Sequence, residues 1–193
     1  MAEPTIPSRD ELVAELRESG ASAVRDLRAL PASVFEQGRY ESGWNGKQIL
    51  AHIASIEWTY PRLIDLAKQE ATPAATDASK QQPEQASEAV PRPGIDGYND
   101  RQVAKRADAS IEELIAEFER NRAQTVAAFA TVDESLLGAP IRSAGGISGT
   151  LSEVIRAVGI GHIAGHVRDI KGSSLAGSID RSESGHRHAS YDR

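Results

Sequence analysis

His162 and His166 stand four residues apart in Gly161-His162-Ile163-Ala164-Gly165-His166-Val167-Arg168-Asp169-Ile170. On a helix, that spacing puts two imidazoles on one face about one turn apart, where they can share a metal ion. Small neighbours (Gly161, Ala164, Gly165) leave room for a second helix to approach. A third histidine, His52, lies in the apolar stretch Ile49-Leu50-Ala51-His52-Ile53-Ala54. The reading that joins these observations is a helical bundle that brings His52 to His162 and His166. Burying three imidazoles without partners is costly, and one divalent ion bound by all three would satisfy them together.

Simpler readings compete. A His-x-x-x-His pair arises often by chance, and a lone histidine on an apolar face is commonly a satisfied core residue. The glutamate of the metalloprotease motif is missing, since Ile163 follows His162, so a protease is a poor reading. The chain has no cysteine, which removes disulfides and thiolate ligands and leaves nitrogen and oxygen as donors. Glu57 lies five residues after His52, about 140° around a helix, and is a poor ligand for the same ion. Asp169, three residues after His166, is a candidate to orient a ligand. His186 and His188 sit in a polar tail and are expected to be solvated.

The elements that must position these residues are helical. Four capping boxes mark helix starts: Ser8 with Glu11, Asn45 with Gln48, Ser110 with Glu113, and Thr150 with Glu153. Apolar residues follow each at helical spacing, predicting four main helices near 8–30, 45–69, 97–131 and 150–171. Gly20 marks a candidate kink in the first. Pro61 should kink or divide the second, and the third is expected to break around Asp108. The last should end near Gly172. Glu117, Glu119, Arg120 and Arg122 read as a solvated face. The stretch from Leu136 to Ser148 reads as a loop, with Gly145-Gly146 as turn chemistry, and nothing reads as a strong strand.

Residues 71–95 are rich in Ala, Thr, Gln, Glu, Ser and Pro, and are expected to form a long flexible loop inside one domain of residues 1–172. Residues 173–193 are expected to be a disordered tail. In the whole chain of 193 residues, a hydrophobic share of 39% fits one core with segments outside it. The net charge of −6 argues against a nucleic-acid surface. No signal pattern and no membrane-length apolar run appear, so a soluble cytoplasmic protein with no membrane partner is expected.

Trp44-Asn45-Gly46-Lys47-Gln48-Ile49-Leu50-Ala51-His52-Ile53-Ala54, then Glu57, together with His162-x-x-x-His166, resembles the DinB-like superfamily. A weaker match is Tyr98-Asn99, then Arg106 and Ser110-Ile111-Glu112-Glu113-Leu114. This superfamily includes bacillithiol- and mycothiol-dependent transferases and the N-terminal domain of maleylpyruvate isomerase. The resemblance covers roughly residues 8–172. It implies an all-α, four-helix bundle running up-down-down-up, with a long connection between helices two and three. It also implies a divalent metal held by His52, His162 and His166. Nickel, zinc, iron and manganese all suit the resemblance, and nitrogen donors favour nickel or zinc.

The function this implies is a metal-dependent enzyme using a low-molecular-weight thiol, of the S-transferase or detoxification type, or using metal-activated water, with a small-molecule substrate. The alternative is a non-enzymatic stress-related or small-molecule-binding bundle with a structural or adventitious metal. A homodimer is left open, since bundles of this family often pair through helices. The chain stops where maleylpyruvate isomerase continues into a second domain, so isomerase activity is not expected.

Overall fold

The computed structural model describes residues 6–38, 43–71 and 94–176. Most of the expected 71–95 loop, and the tail beyond 176 with His186 and His188, lie outside the described residues.

All four capping boxes form, each with the cap side chain accepting from the backbone three residues on and the acid or amide reaching back. Each such cap satisfies amides that the first helical turn otherwise leaves open. They start helix α1 (Arg9–Arg28), α3 (Gly46–Glu57), α6 (Ile111–Ala130) and α7 (Leu151–Ile155). The connector before α3 holds a short helix α2 (Ala32–Glu36), which packs so closely that a Cβ on Gly46 would sit 3.0 Å from the Phe35 backbone.

The second predicted helix is divided, as Pro61 requires. Helix α3 ends at Glu57 and α4 (Arg62–Ala71) begins after the proline. Pro61 has no N–H to give to Glu57 O. That carbonyl instead accepts from the Tyr60 amide and from Thr125 Oγ1 at 3.2 Å. The third helix is likewise split, into α5 (Ile95–Ala104) and α6.

Two expectations about the first and third helices need correcting. Helix α1 runs through Gly20 without a break. Gly20 is there because α6 comes close: a Cβ would lie 2.7 Å from Arg122 Cγ. Arg122 in turn is no part of a solvated face, being 5% exposed. Its neighbour in that predicted face, Glu117, pairs with Arg106 and is partly buried.

The stretch from 134 to 150 is more ordered than a loop. A 3₁₀ turn (Glu134–Gly138) leads into a small antiparallel hairpin of β1 (Pro140–Arg142) and β2 (Ser148–Thr150), with Ile141 opposite Gly149. Gly146 takes φ of 87° at its turn, a conformation that favours glycine. The strands are too short for periodicity to reveal them.

The last limb is one continuous helical run that changes type. After α7 comes a π-helical segment (Arg156–His162), then α8 (Ile163–Ala176), which extends past the expected end at Gly172.

The limbs pack as a bundle, with α1 and α3 both against α6, and α3 also against α8. Among the described residues, two apolar clusters fill it. One gathers Leu12, Leu16, Leu63, Phe129, Leu151 and Ile155; the other gathers Leu27, Phe35, Leu50, Ile53, Phe118, Ile163 and Ile170. No helix among the described residues is long and apolar enough to cross a membrane.

Candidate metal centre

Helix α3 is buried on almost every side, from Ile49 through Ser55 and at Glu57. A residue at its centre is therefore held by packing whatever its polarity. His52 occupies that place and is 5% exposed. Trp44, just before the helix cap, lays its ring 5.1 Å from the His52 ring, centroid to centroid.

Helix α8 and the end of the π segment supply the other two rings. Centroids lie 5.6 Å apart for His52 and His162, 5.2 Å for His52 and His166, and 4.4 Å for His162 and His166. One nitrogen from each histidine can be chosen so that the three lie within 4.8 Å of one another. The three residues singled out in the sequence thus meet at one place. Burial decreases from His52 inside to His162 at the open rim, so the cluster can be reached from solvent.

The electrostatics keep these rings neutral. Burial pushes His52 down to about 3, and the nearby His166 and His162 add to the effect. Burial and then His166 lower His162. Burial also lowers His166, opposed by the carboxylate of Asp169. A neutral imidazole presents a lone pair, which is the form a metal needs.

Two nitrogens of the histidine cluster are also buried without a hydrogen-bond partner, His52 Nδ1 and His166 Nδ1; Glu57 Oε1 and Arg122 Nε are likewise buried without one, but face each other as an ion pair. His166 Nδ1 sits 3.4 Å from Asp169 Oδ2, near enough for attraction but outside hydrogen-bond geometry. Asp169 therefore does approach the cluster, on the side of His166. Unpartnered buried donors and acceptors are rare in folded proteins and ask for an explanation. Three converging neutral imidazoles with an orphaned nitrogen fit a divalent ion of nitrogen preference, zinc or nickel before magnesium or calcium.

A second polar cluster escaped the sequence reading. Glu57, fully buried, and Arg122 form an ion pair, Oε1 to Nε 2.9 Å, with a further bond from Arg122 Nη2 to Oε2 at 3.0 Å. Arg122 Nη2 also donates to Gly159 O at 2.6 Å, and Nη1 donates to Leu16 O and Ser19 Oγ at 3.3 and 3.2 Å. Burial pushes the Glu57 carboxyl up to about 7 while Arg122 pulls the other way. Tyr60, in the turn made by Pro61, donates its hydroxyl to Val158 O at 2.8 Å.

The burial pattern of the last limb marks the π segment. The buried apolar residues of the last limb are Leu151, Val154, Ile155, Val158, Ile163, Val167 and Ile170. Steps of three and four keep one face of an α-helix, but Val158 to Ile163 is a step of five.

Residues 38–170 match the DinB superfamily. Among solved structures the chain is similar to mycothiol-dependent maleylpyruvate isomerase and to a histidine-to-alanine mutant of it. Each match has 17% identity and a TM-score of 0.60, covering 85% of this chain. The chain spans 61% of the length of that isomerase. No curated protein matches it by sequence.

Proposed function

The chain belongs to the DinB superfamily, and on that premise we propose that it is a metal-dependent enzyme of small-molecule thiol chemistry, its ion held by His52, His162 and His166. One observation carries the reading: the single nitrogens that these three histidines offer lie within 4.8 Å of one another. Zinc and nickel suit these donors best, with iron and manganese next.

A bound divalent ion would supply Lewis acidity, lowering the pKa of a coordinated thiol or water. The remaining work falls to the chain. His52 is fixed from inside by the packing of α3, while His162 at the rim leaves a side of the cluster open to solvent. Trp44 covers the His52 ring. Asp169 attracts the Nδ1 side of His166, which favours Nε2 as that ring's donor to an ion. With one nitrogen each given to an ion, the histidines are ligands and are not general bases.

The substrate class that follows is a small electrophile that accepts a low-molecular-weight thiol. Hydrolysis by activated water is the variant of the same site. Mycothiol is the first thiol to test, because the isomerase of similar fold depends on it.

The test uses protein purified without a histidine tag. Metal analysis should find about one divalent ion per chain, lost on His52→Ala. Adding mycothiol to cobalt-loaded protein should introduce a sulfur-to-metal charge-transfer band. A folded protein that holds no stoichiometric metal would point instead to a non-enzymatic bundle that binds small molecules.

A further inference from the structure

The π segment and the second polar cluster meet, and their meeting bears on the histidines. In an unbroken α-helix, Ile163 N–H would bond to Gly159 O and His162 N–H to Val158 O. Here Ile163 N–H bonds to Ile160 O. Gly159 O accepts from Arg122, and Val158 O accepts from Tyr60. Side chains from α6 and from the Pro61 turn therefore hold two carbonyls of the widened turn. Gly159 itself has no room for a side chain: a Cβ would lie 3.0 Å from Ile155 Cδ1 and 3.4 Å from Leu16 Cδ2.

The widened turn decides which way the histidines face. Four residues after Val158 comes His162, so an unbroken α-helix would carry His162 along the core-facing stripe. The step of five gives that place to Ile163, which is 2% exposed. His162 is turned by about 100°, one residue of helix, toward the flank. His166, one α-turn later, follows it.

We propose that Arg122, Glu57 and Tyr60 form a positioning bracket that holds the π turn in place and so aims His162 and His166 at His52. Arg122 and Tyr60 hold the backbone, and Glu57 holds Arg122. None of the three is a ligand. The inference rests on the metal reading for its purpose, but its geometry can be tested without a metal.

Two variants test it. Glu57→Met with Arg122→Met removes both charges together, so neither is left buried alone. Tyr60→Phe removes a single hydroxyl, and serves if the double variant does not fold. The core substitution Phe129→Leu is the control for a general loss of stability.

The first readout is metal-free. In crystals of the double variant the His52 and His162 rings should move apart from their 5.6 Å separation. In Tyr60→Phe, amide exchange at His162 and Ile163 should quicken relative to the rest of α8. The second readout is cobalt(II) affinity and visible absorption. The bracket variants should bind roughly 10-fold more weakly, with an altered spectrum, in line with the lower range for residues that support ligands from behind. Phe129→Leu should leave both unchanged.

If the rings keep their arrangement in the metal-free double variant, and exchange in Tyr60→Phe is unaltered, the bracket is wrong. Wild-type protein that takes up no cobalt would sink the metal reading while the metal-free readouts still decide the bracket.

Discussion

Among the described residues, two polar clusters touch the same limb, and they are built on opposite principles. The Glu57–Arg122 cluster is closed: the charges face each other, and the guanidinium also bonds to Leu16 O, Ser19 and Gly159 O. The histidine cluster is open: it has three neutral rings, one of them at the rim, and among the described residues His52 Nδ1 is buried with neither a hydrogen bond nor an ion pair. A polar group buried with its partners holds a fold together. A polar group buried without them costs stability until something binds. The difference separates a structural cluster from a candidate binding site, although both consist of titratable side chains on apolar helices.

The sharpest way to break this comparison is to remove one member of each cluster. Arg122→Ala should cost about 3–5 kcal/mol of stability, because it leaves the Glu57 carboxyl buried and unpaired. His52→Ala should cost the metal-free protein clearly less, because it also removes an orphaned nitrogen. Urea unfolding of the metal-free proteins compares the two directly. Equal losses would mean that the histidine cluster is also structural.

Gly20→Ala comes next. Alanine normally favours a helix by about 1 kcal/mol over glycine. Here its methyl group would press on Arg122 at 2.7 Å, so a net loss of about 1–3 kcal/mol is expected. A stabilised variant would show that Arg122 has room to move.

The two clusters should also respond to acid in opposite senses. The histidines are depressed in the fold from 6.5, so the unfolded chain binds protons first as pH falls below 6.5, and stability is lost. Glu57 is raised from 4.5 to about 7, so the folded chain binds its proton first and gains stability between those values on acidification. With three imidazoles against one carboxyl, the metal-free protein should weaken from pH 6.5 downward. In the triple variant His52→Ala, His162→Ala, His166→Ala this weakening should shrink or reverse between pH 6.5 and 4.5. Identical pH profiles for the two proteins would contradict the assignment.

The smallest effect sharpens the open cluster alone. Asp169→Asn removes the charge 3.4 Å from His166 Nδ1. Metal affinity should fall by about 10-fold, the low end for a residue behind a ligand, and competition with a chelating dye would measure it. A larger loss would suggest that Asp169 contacts the ion itself.

Much of this was legible in the sequence because it is local. A capping box needs two residues three apart, and all four formed where the sequence placed them. The division at Pro61 follows from a missing N–H, and the pairing of His162 with His166 from helical spacing. The approach of His52 was a long-range inference, and it rested on the apolar character of two helices that had to pack. Gly20 and Arg122 misled for one shared reason. A glycine in a helix reads as a kink and an arginine among charges reads as surface, until α1 and α6 come together with each as the other's neighbour. The sequence by itself determined where the four capped helices begin, where two must break, and which three imidazoles were candidates. Only the tertiary structure decided that the last limb widens between Val158 and Ile163, and that Arg122 and Tyr60 from distant elements hold the carbonyls concerned. Those bonds join residues at least 37 positions apart, and no local pattern encodes which carbonyl a distant side chain will reach.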